Sequence, residues 1–364
     1  MSNRSSAGGR NPIETQPDSG VLGNDATRPP AATNSKRNET RAALIKLRRW
    51  LLQLGFGGTQ ARFILVPLIL VWIALALASP YFLTQANITN ILLNAAPLAF
   101  IAAGVTLTLI AAEIDLAVGS IVALTGSFVA VLMKNHGVPW PLAVAGGLAL
   151  GVAIGVLSGW FVTRVGIPSF VATLAMLGIA RGVALILTGG QAISGLPTGF
   201  GWLGTGRIAS VPFPVLLAAL VFVLLHLVAT RTKFGLNIYA VGGNVEAARL
   251  AGVMVLRVKM GVLILSGFLS AIAGVILAAR LNAGSGVVGE DLLLDSVAAV
   301  VIGGASLLGG VGTITGTAIG TLLIASIRNG LVLLSVTAFW QKVTIGLLIL
   351  LAVSIDHFGK RRTS

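Results

Sequence analysis

Long apolar runs constrain this sequence more than any other feature. A helix needs about 20 apolar residues, at ~1.5 Å of rise each, to cross ~30 Å of hydrocarbon. Ten stretches qualify: 63–79, 88–112, 116–133, 139–162, 168–188, 212–229, 260–280, 294–309, 313–334 and 338–355. The eighth is short and reads equally as a broken or re-entrant helix. Backbone in lipid must satisfy its own hydrogen bonds, and runs this long do so as helices rather than barrel strands. The expected fold is an all-α integral membrane protein of about ten transmembrane helices. Composition agrees, because only 10% of residues are charged where soluble domains carry roughly 25%.

A net charge of +14 would point to nucleic acid if the charge were clustered. It is not. Residues 1–50 hold nine Lys/Arg against four acids, and most of the others fall in short loops between apolar runs. Counting them sets topology. With the amino end inside, Arg62, Arg164, Arg231, Lys233, Arg249, Arg257, Lys259, Lys360, Arg361 and Arg362 are cytoplasmic. Lys134, Arg207, Arg280 and Lys342 fall outside. Ten spans then return the carboxyl end to the cytoplasm. The chain has no cysteine and three scattered histidines, which excludes disulfides, thiol nucleophiles and His/Cys metal clusters.

The expected organisation is a cytoplasmic segment over 1–60, a transmembrane domain over 61–358, and a cytoplasmic carboxyl tail over 359–364. Residues 1 to about 42, rich in Ser, Asn, Thr, Pro and Arg, read as a disordered tail. No signal peptide is expected, since the first long apolar run begins some sixty residues in. Residues 41–54 read as a short basic amphipathic helix on the inner leaflet, in preference to a twin-arginine signal at Arg48-Arg49.

Ten spans divide into two sets of five that would run in opposite senses. Glu113 and Asp115 follow span 2, and Glu290, Asp291 and Asp295 follow span 7, each group ahead of small-residue text. One group lies at the inner face and the other at the outer, as an inverted repeat requires. Span 4 carries Gly147, Gly151, Gly155 and Gly159 at helical spacing, and span 9 carries Gly312, Gly316 and Gly320. Such ridges let helix backbones approach closely in lipid, so they read as packing seams.

Gly199-Phe-Gly-Trp-Leu-Gly204 matches the dinucleotide fingerprint in letters only, because it lies in an external loop without the strand–turn–helix context. No P-loop occurs, so no ATPase is expected on this chain. His226 reads as an interface anchor. Arg181 in span 5 and Arg328 in span 9 are intramembrane ions: either functional groups or partners in internal salt bridges and helix caps.

The longest cytoplasmic loop, 230–259, contains Gly242-Gly-Asn-Val-Glu-Ala-Ala-Arg-Leu-Ala-Gly-Val253. Asn244 is a good N-cap and Gly252 a good stop, with Glu246 and Arg249 one turn apart. A capped amphipathic helix projecting from a bundle is a docking element, or else an interfacial helix on the lipid surface.

This loop, from Thr232-Lys-Phe-Gly-Leu-Asn onward, strongly resembles the coupling segment of bacterial monosaccharide ABC-importer permeases of the ribose and xylose type. Ile114-Asp-Leu-Ala-Val-Gly-Ser120, Phe170-Val-Ala-Thr-Leu174 with Arg181-Gly182, Ala279-Arg-Leu281, Leu294 to Gly310 and Asn329-Gly-Leu331 resemble the same family, in the family's order, over about residues 60–358. The resemblance implies a non-enzymatic permease of the bacterial inner membrane, present in two copies per transporter. A cytoplasmic ATPase would dock on Gly243, Asn244, Glu246, Ala247, Ala248, Arg249 and Gly252. A periplasmic sugar-binding protein would deliver substrate to the outer face. No cofactor is expected on this chain, ATP and magnesium belonging to the partner ATPase, and no nucleic acid is expected. Glu113 leans toward the xylose type. The amino tail is longer than that of ribose-type permeases.

The cycle implied is alternating access, with partner closure pushing the 243–252 helix. A neutral sugar calls for a path of small, weakly polar groups. Asn94, Thr125, Ser127, Thr173, Asn282 and Ser306 are candidates, with Arg181 in span 5 and Asp115 at the inner edge, where it could instead hold the loops. A nucleoside or another small polar solute is the alternative substrate. An ion-coupled secondary transporter would need mid-span carboxylates, which these runs lack. A membrane enzyme would need a nucleophile–base or metal constellation, and none can be assembled.

Overall fold

The computed structural model describes the backbone of residues 59–361. The expected tail and the amphipathic helix at 41–54 lie outside the described residues. Helices α1 (Thr59–Ala78), α2 (Gln85–Ile110), α3 (Val118–Lys134), α4 (Trp140–Trp160) and α5 (Ser169–Thr188) form the first half. A single π-turn, Phe161–Val165, extends α4 and stops at Gly166, which adopts a left-handed φ of 83°. After α5 come a two-residue strand β1 (Ile193–Ser194), a short helix α6 (Thr198–Thr205) and a hairpin of β2 (Arg207–Ile208) with β3 (Val211–Pro212). The second half comprises α7 (Phe213–Arg231), α8 (Lys233–Gly243), α9 (Val245–Leu250), α10 (Val255–Leu281), β4 (Ala283–Gly284), α11 (Glu290–Ile302), α12 (Ile314–Leu333) and α13 (Ala338–Arg361). Helix α13 runs to Arg361, so the first residues of the 359–364 segment are helical.

Among the described residues six helices are long and apolar enough to cross a membrane: α2, α4 with its π-turn, α5, α7, α10 and α12. Helix α3 and the apolar parts of α1 and α13 are shorter. The fold is therefore an all-α membrane bundle. The eighth apolar stretch is not a continuous helix. Helix α11 has 13 residues and ends at Gly303, after which Gly304, Gly309 and Gly310 adopt left-handed φ of 83°, 89° and 73°. Four glycines in eight residues replace helix with turns, and backbone of this kind is tolerated at membrane depth only where protein surrounds it.

Helices α2 and α10 form the centre. Every residue of α2 from Ala95 to Ile110 is buried, and most of α10 is buried too. A helix that is apolar all round belongs inside a bundle. Helix α10 packs against α2, α3 and α4, while α2 packs against α11 and α12. The glycine ridges are where these helices meet. A Cβ on Gly155 would lie 2.7 Å from the Leu263 carbonyl oxygen of α10, and one on Gly320 would lie 2.0 Å from that of Ala299 in α11. Only glycine permits such close approach, and the packing role read from the sequence holds. Gly204, in the apparent dinucleotide fingerprint, likewise packs on the Arg280 backbone, inside helix α6.

The ends of the bundle differ in chemistry. At one end α8, α9, the 111–117 loop and the 303–312 turns meet. At the other, β1 pairs with β4 so that the segments following α5 and α10 are joined.

Candidate functional site

Six residues cannot sustain a helix by backbone bonds alone, so α9 depends on its caps. Asn244 Oδ1 accepts from the Ala247 N–H at 2.9 Å. At the other end Gly252 is left-handed (φ 82°), with Gly252 N–H donating to Arg249 O and Val253 N–H to Ala248 O, each at 3.0 Å. These two bonds make a Schellman closure. Arg249 and Glu246 pair at 3.3 Å on the exposed face, while Ala248 is buried against the bundle. Leu250, 84% exposed, and Met254 present apolar surface beside that charged pair. Next to them a groove of about 760 Å³ carries Arg164, Arg249 and Arg257 around an apolar floor that includes Met260 and Ile264.

Helix α8 ties this platform to the core. A Cβ on Gly242 would fall 1.6 Å from the Ile110 carbonyl oxygen and 2.6 Å from the Gly310 nitrogen. That same Gly310 N–H donates to Ile110 O at 2.9 Å. The end of α2, the end of α8 and the turns after α11 therefore meet backbone to backbone. Tyr239 of α8 adds a hydrogen bond to Gly312 O at 2.8 Å, and its burial raises the phenol pKa. Lys259 pairs with the buried Glu113 at 2.5 Å, fastening the start of α10 to the same junction.

The eight path candidates fall in several places. Asp115 is buried in the 111–117 loop, accepting from Ala117 N–H at 2.9 Å and from Ser266 Oγ at 2.7 Å. Burial raises its pKa against the lowering effect of both bonds. Thr173 Oγ1 accepts from Leu116 N–H at 3.1 Å and lies 3.0 Å from Ile114 O, joining that loop to α5. Thr125 and Ser127 are buried on α3. Thr125 bonds Ile121 O at 2.8 Å, and Ser127 Oγ has no hydrogen-bond partner among the described residues. Arg181 donates to Gly286 O at 2.5 Å and Val288 O at 3.1 Å, which makes it a clamp on the turn before α11. Asn282 caps α10 with a left-handed φ of 51° and accepts from Leu196 N–H at 2.9 Å. Ser306 is buried in the turns after α11, where its Oγ accepts from Leu308 N–H at 3.2 Å. Asn94 alone of the eight lines the cavity at the far end of the bundle. Among the described residues no group of three or more His, Cys, Asp or Glu forms a metal cluster.

Residues 87–353 match the family model described as branched-chain amino acid transport system / permease component. The chain belongs to this permease family. It is 40% identical over 300 residues to the ribose import permease of Escherichia coli K12, covering 80% of this chain and 92% of that protein. With the ribose import permease of Bacillus subtilis 168 it shares 41% over 287 residues, 78% of this chain and 89% of that one. With the xylose transport system permease of Haemophilus influenzae it shares 34% over 342 residues, 77% and 91% of the two chains. No solved structure matches the chain. The permease is thus a multi-pass transport subunit of the inner membrane and not an enzyme.

Sequence reasoning named three further residues of the permease without their contacts. Gly242 stands beside Gly243 in the sequence with nothing to separate them, yet only at Gly242 would a Cβ meet backbone. Arg328 pairs with Asp295 at 2.7 Å, the internal salt bridge that is one of its two readings, though no local spacing names a partner 33 residues away.

Proposed function

We propose that this permease is the membrane subunit of an ATP-binding-cassette importer for a monosaccharide, a pentose such as ribose or xylose. The observation that carries this is the identity of 40% sustained over 92% of a ribose import permease. The family description names branched-chain amino acids, but the three relatives named above are sugar permeases. A separate ATPase binds ATP and magnesium, and a periplasmic binding protein supplies sugar at the outer face.

The ATPase docks on the platform of Gly243, Asn244, Glu246, Ala247, Ala248, Arg249 and Gly252. Its support is a six-residue helix, capped at both ends, that leaves a charged pair and Leu250 in the open. Helix α8 transmits the push through Gly242 to α2 and to the turns after α11, and the glycine seams let helices slide. The transporter holds two copies of this chain, with both termini in the cytoplasm and ten crossings, α11 and its turns making the eighth. An inverted repeat of α1–α5 and α6–α13 is supported by matched packing. Helix α10 lies on α3 and α4 as α2 lies on α11 and α12. The loop before α3 bonds the start of α5, and the start of α11 pairs with α13 through Asp291 and Lys342 at 3.0 Å. In this conformation Asp115, Thr173 and Arg181 hold loops, while Asn94, Thr125, Ser127, Asn282 and Ser306 border the route that opens.

The test is uptake of labelled pentose by proteoliposomes holding the permease, its ATPase and its binding protein. ATP-dependent accumulation of ribose or xylose, indifferent to proton and sodium gradients, is expected. Accumulation of leucine in place of pentose, or uptake by the permease alone on an ion gradient, would overturn the reading.

A further inference from the structure

At the end of the bundle opposite α9, a cavity of about 310 Å³ opens among α2, α10, α11, α12 and α13. Its size is at the lower limit of small-molecule sites, roughly 300 Å³. Polar residues reach it from all five helices: Asn94, Arg280, Asp295, Arg328, Asn329 and Gln341. In a membrane bundle, ionisable groups beside a cavity mark a solute site sooner than a packing contact, since packing alone is served better by apolar residues.

The hydrogen-bond inventory specifies the solute. A guanidinium carries five N–H donors. Arg280 places one on the Leu93 carbonyl and one on Asn94 Oδ1, both at 2.8 Å, leaving three without a partner among the described residues. Asp295, almost wholly buried, holds Arg328 through Oδ1 at 2.8 Å and Oδ2 at 2.7 Å. That pair cancels its own charge and still leaves donors on Arg328. Gln341 donates to Val336 O at 2.9 Å, which leaves its carbonyl oxygen as an acceptor. Leu98, Leu277 and Leu292 complete the walls. Fixed donors in excess, some acceptors and apolar walls between them suit a ring that carries hydroxyls on its edges and C–H on its faces.

We infer that this cavity is a binding site for an uncharged polyhydroxylated solute on the outer side of the permease, occupied before translocation. The inference rests on the sugar reading above and deepens it. Asp295 is a positioning residue that orients Arg328, whereas Arg280, Arg328, Asn94 and Gln341 contact the solute. The Arg280 guanidinium has no acidic partner among the described residues and would also accept a carboxylate or a phosphate, so leucine and ribose 5-phosphate are the competitors that test the uncharged class.

The experiment uses labelled ribose and xylose with full-length permease in nanodiscs, and the same protein with its ATPase and binding protein in proteoliposomes. Asn94→Leu and Val332→Trp both fall at exposed cavity-lining positions, where substitution costs folding least, and their yield of monodisperse protein is compared with wild type. Wild type should bind pentose saturably, with competition by unlabelled ribose and none by leucine or ribose 5-phosphate. Each folded variant should lose at least tenfold in affinity and show a raised KM for uptake. Absence of saturable binding in wild type, competition by leucine or ribose 5-phosphate, or unchanged affinity in the variants would overturn the inference. If the complete wild-type importer moves no pentose, the sugar reading itself fails. If it moves pentose while the variants match it in KM and maximal rate, only the cavity assignment fails.

Discussion

Two adjacent glycines in α8 carry opposite constraints. Gly242 abuts the Ile110 carbonyl, while a Cβ on Gly243 would meet nothing within 4 Å. Gly242→Ala forces apart the junction of α2, α8 and the turns after α11, and overpacking of this kind costs typically 1–3 kcal/mol. Gly243→Ala removes a flexible residue from a helix, worth roughly 0.5–1 kcal/mol in the stabilising direction. Thermal unfolding of the two variants should therefore shift in opposite directions, and equal shifts would contradict the junction. Asp115 makes a second residue-scale prediction. Its folded pKa is raised above 3.8 by burial, so the folded state keeps a proton that the unfolded chain releases. Stability contributed by this group is lost as pH rises from 3.8 through the folded pKa. Asp115→Asn keeps an acceptor for Ala117 N–H without the charge, so its stability should fall less than that of wild type as pH is raised. A steeper fall in the variant would reverse the sign and refute the burial argument.

At the scale of elements, α9 is held by its ends. Asn244→Ala removes one N-cap bond, worth about 1 kcal/mol, and should speed amide exchange in residues 245–250 about fivefold. Unchanged exchange would show that tertiary packing alone holds the helix. This helix was legible in the sequence because caps are local: Asn244, Glu246, Arg249 and Gly252 state it within nine residues. The long spans and the glycine seams were legible for the same reason, through hydropathy and a four-residue period. Helix α11 was legible only as a short apolar stretch, because hydropathy does not distinguish helix from the turns that Gly304, Gly309 and Gly310 impose. The cavity at the end opposite α9 was almost invisible. Its Asp295–Arg328 pair and the Arg280–Asn94 bond, which spans 186 residues, depend on which helices become neighbours. Thr125 and Thr173 are small and polar, and in this conformation both are buried with helix or loop carbonyls as partners. Polarity in a span marks a group that needs a partner and does not say whether that partner is solute or backbone.

For the whole molecule, the platform and the cavity occupy opposite ends of the same helices. Asn94 lies in the first half of α2 and Ile110 at its end, while Arg280 and Val255 lie at opposite ends of α10. In the proposed cycle a solute site and a drive site so placed are linked through α2 and α10, both largely buried. The chain has no cysteine, so single cysteines report sidedness without background. In right-side-out vesicles a membrane-impermeant maleimide should label His136→Cys directly and Lys233→Cys only after permeabilisation; both positions are exposed. The reverse pattern would invert the topology.

The central claim is that a separate ATPase drives this permease through the exposed face of α9, and co-purification from membranes tests it most directly. Wild type should retain a P-loop ATPase identifiable by mass spectrometry. A Glu246→Ala, Arg249→Ala double variant, inserted in the membrane at the same level, should lose most of it together with ATP-driven pentose uptake. An equal yield of ATPase from both proteins, with uptake undiminished, would contradict the claim.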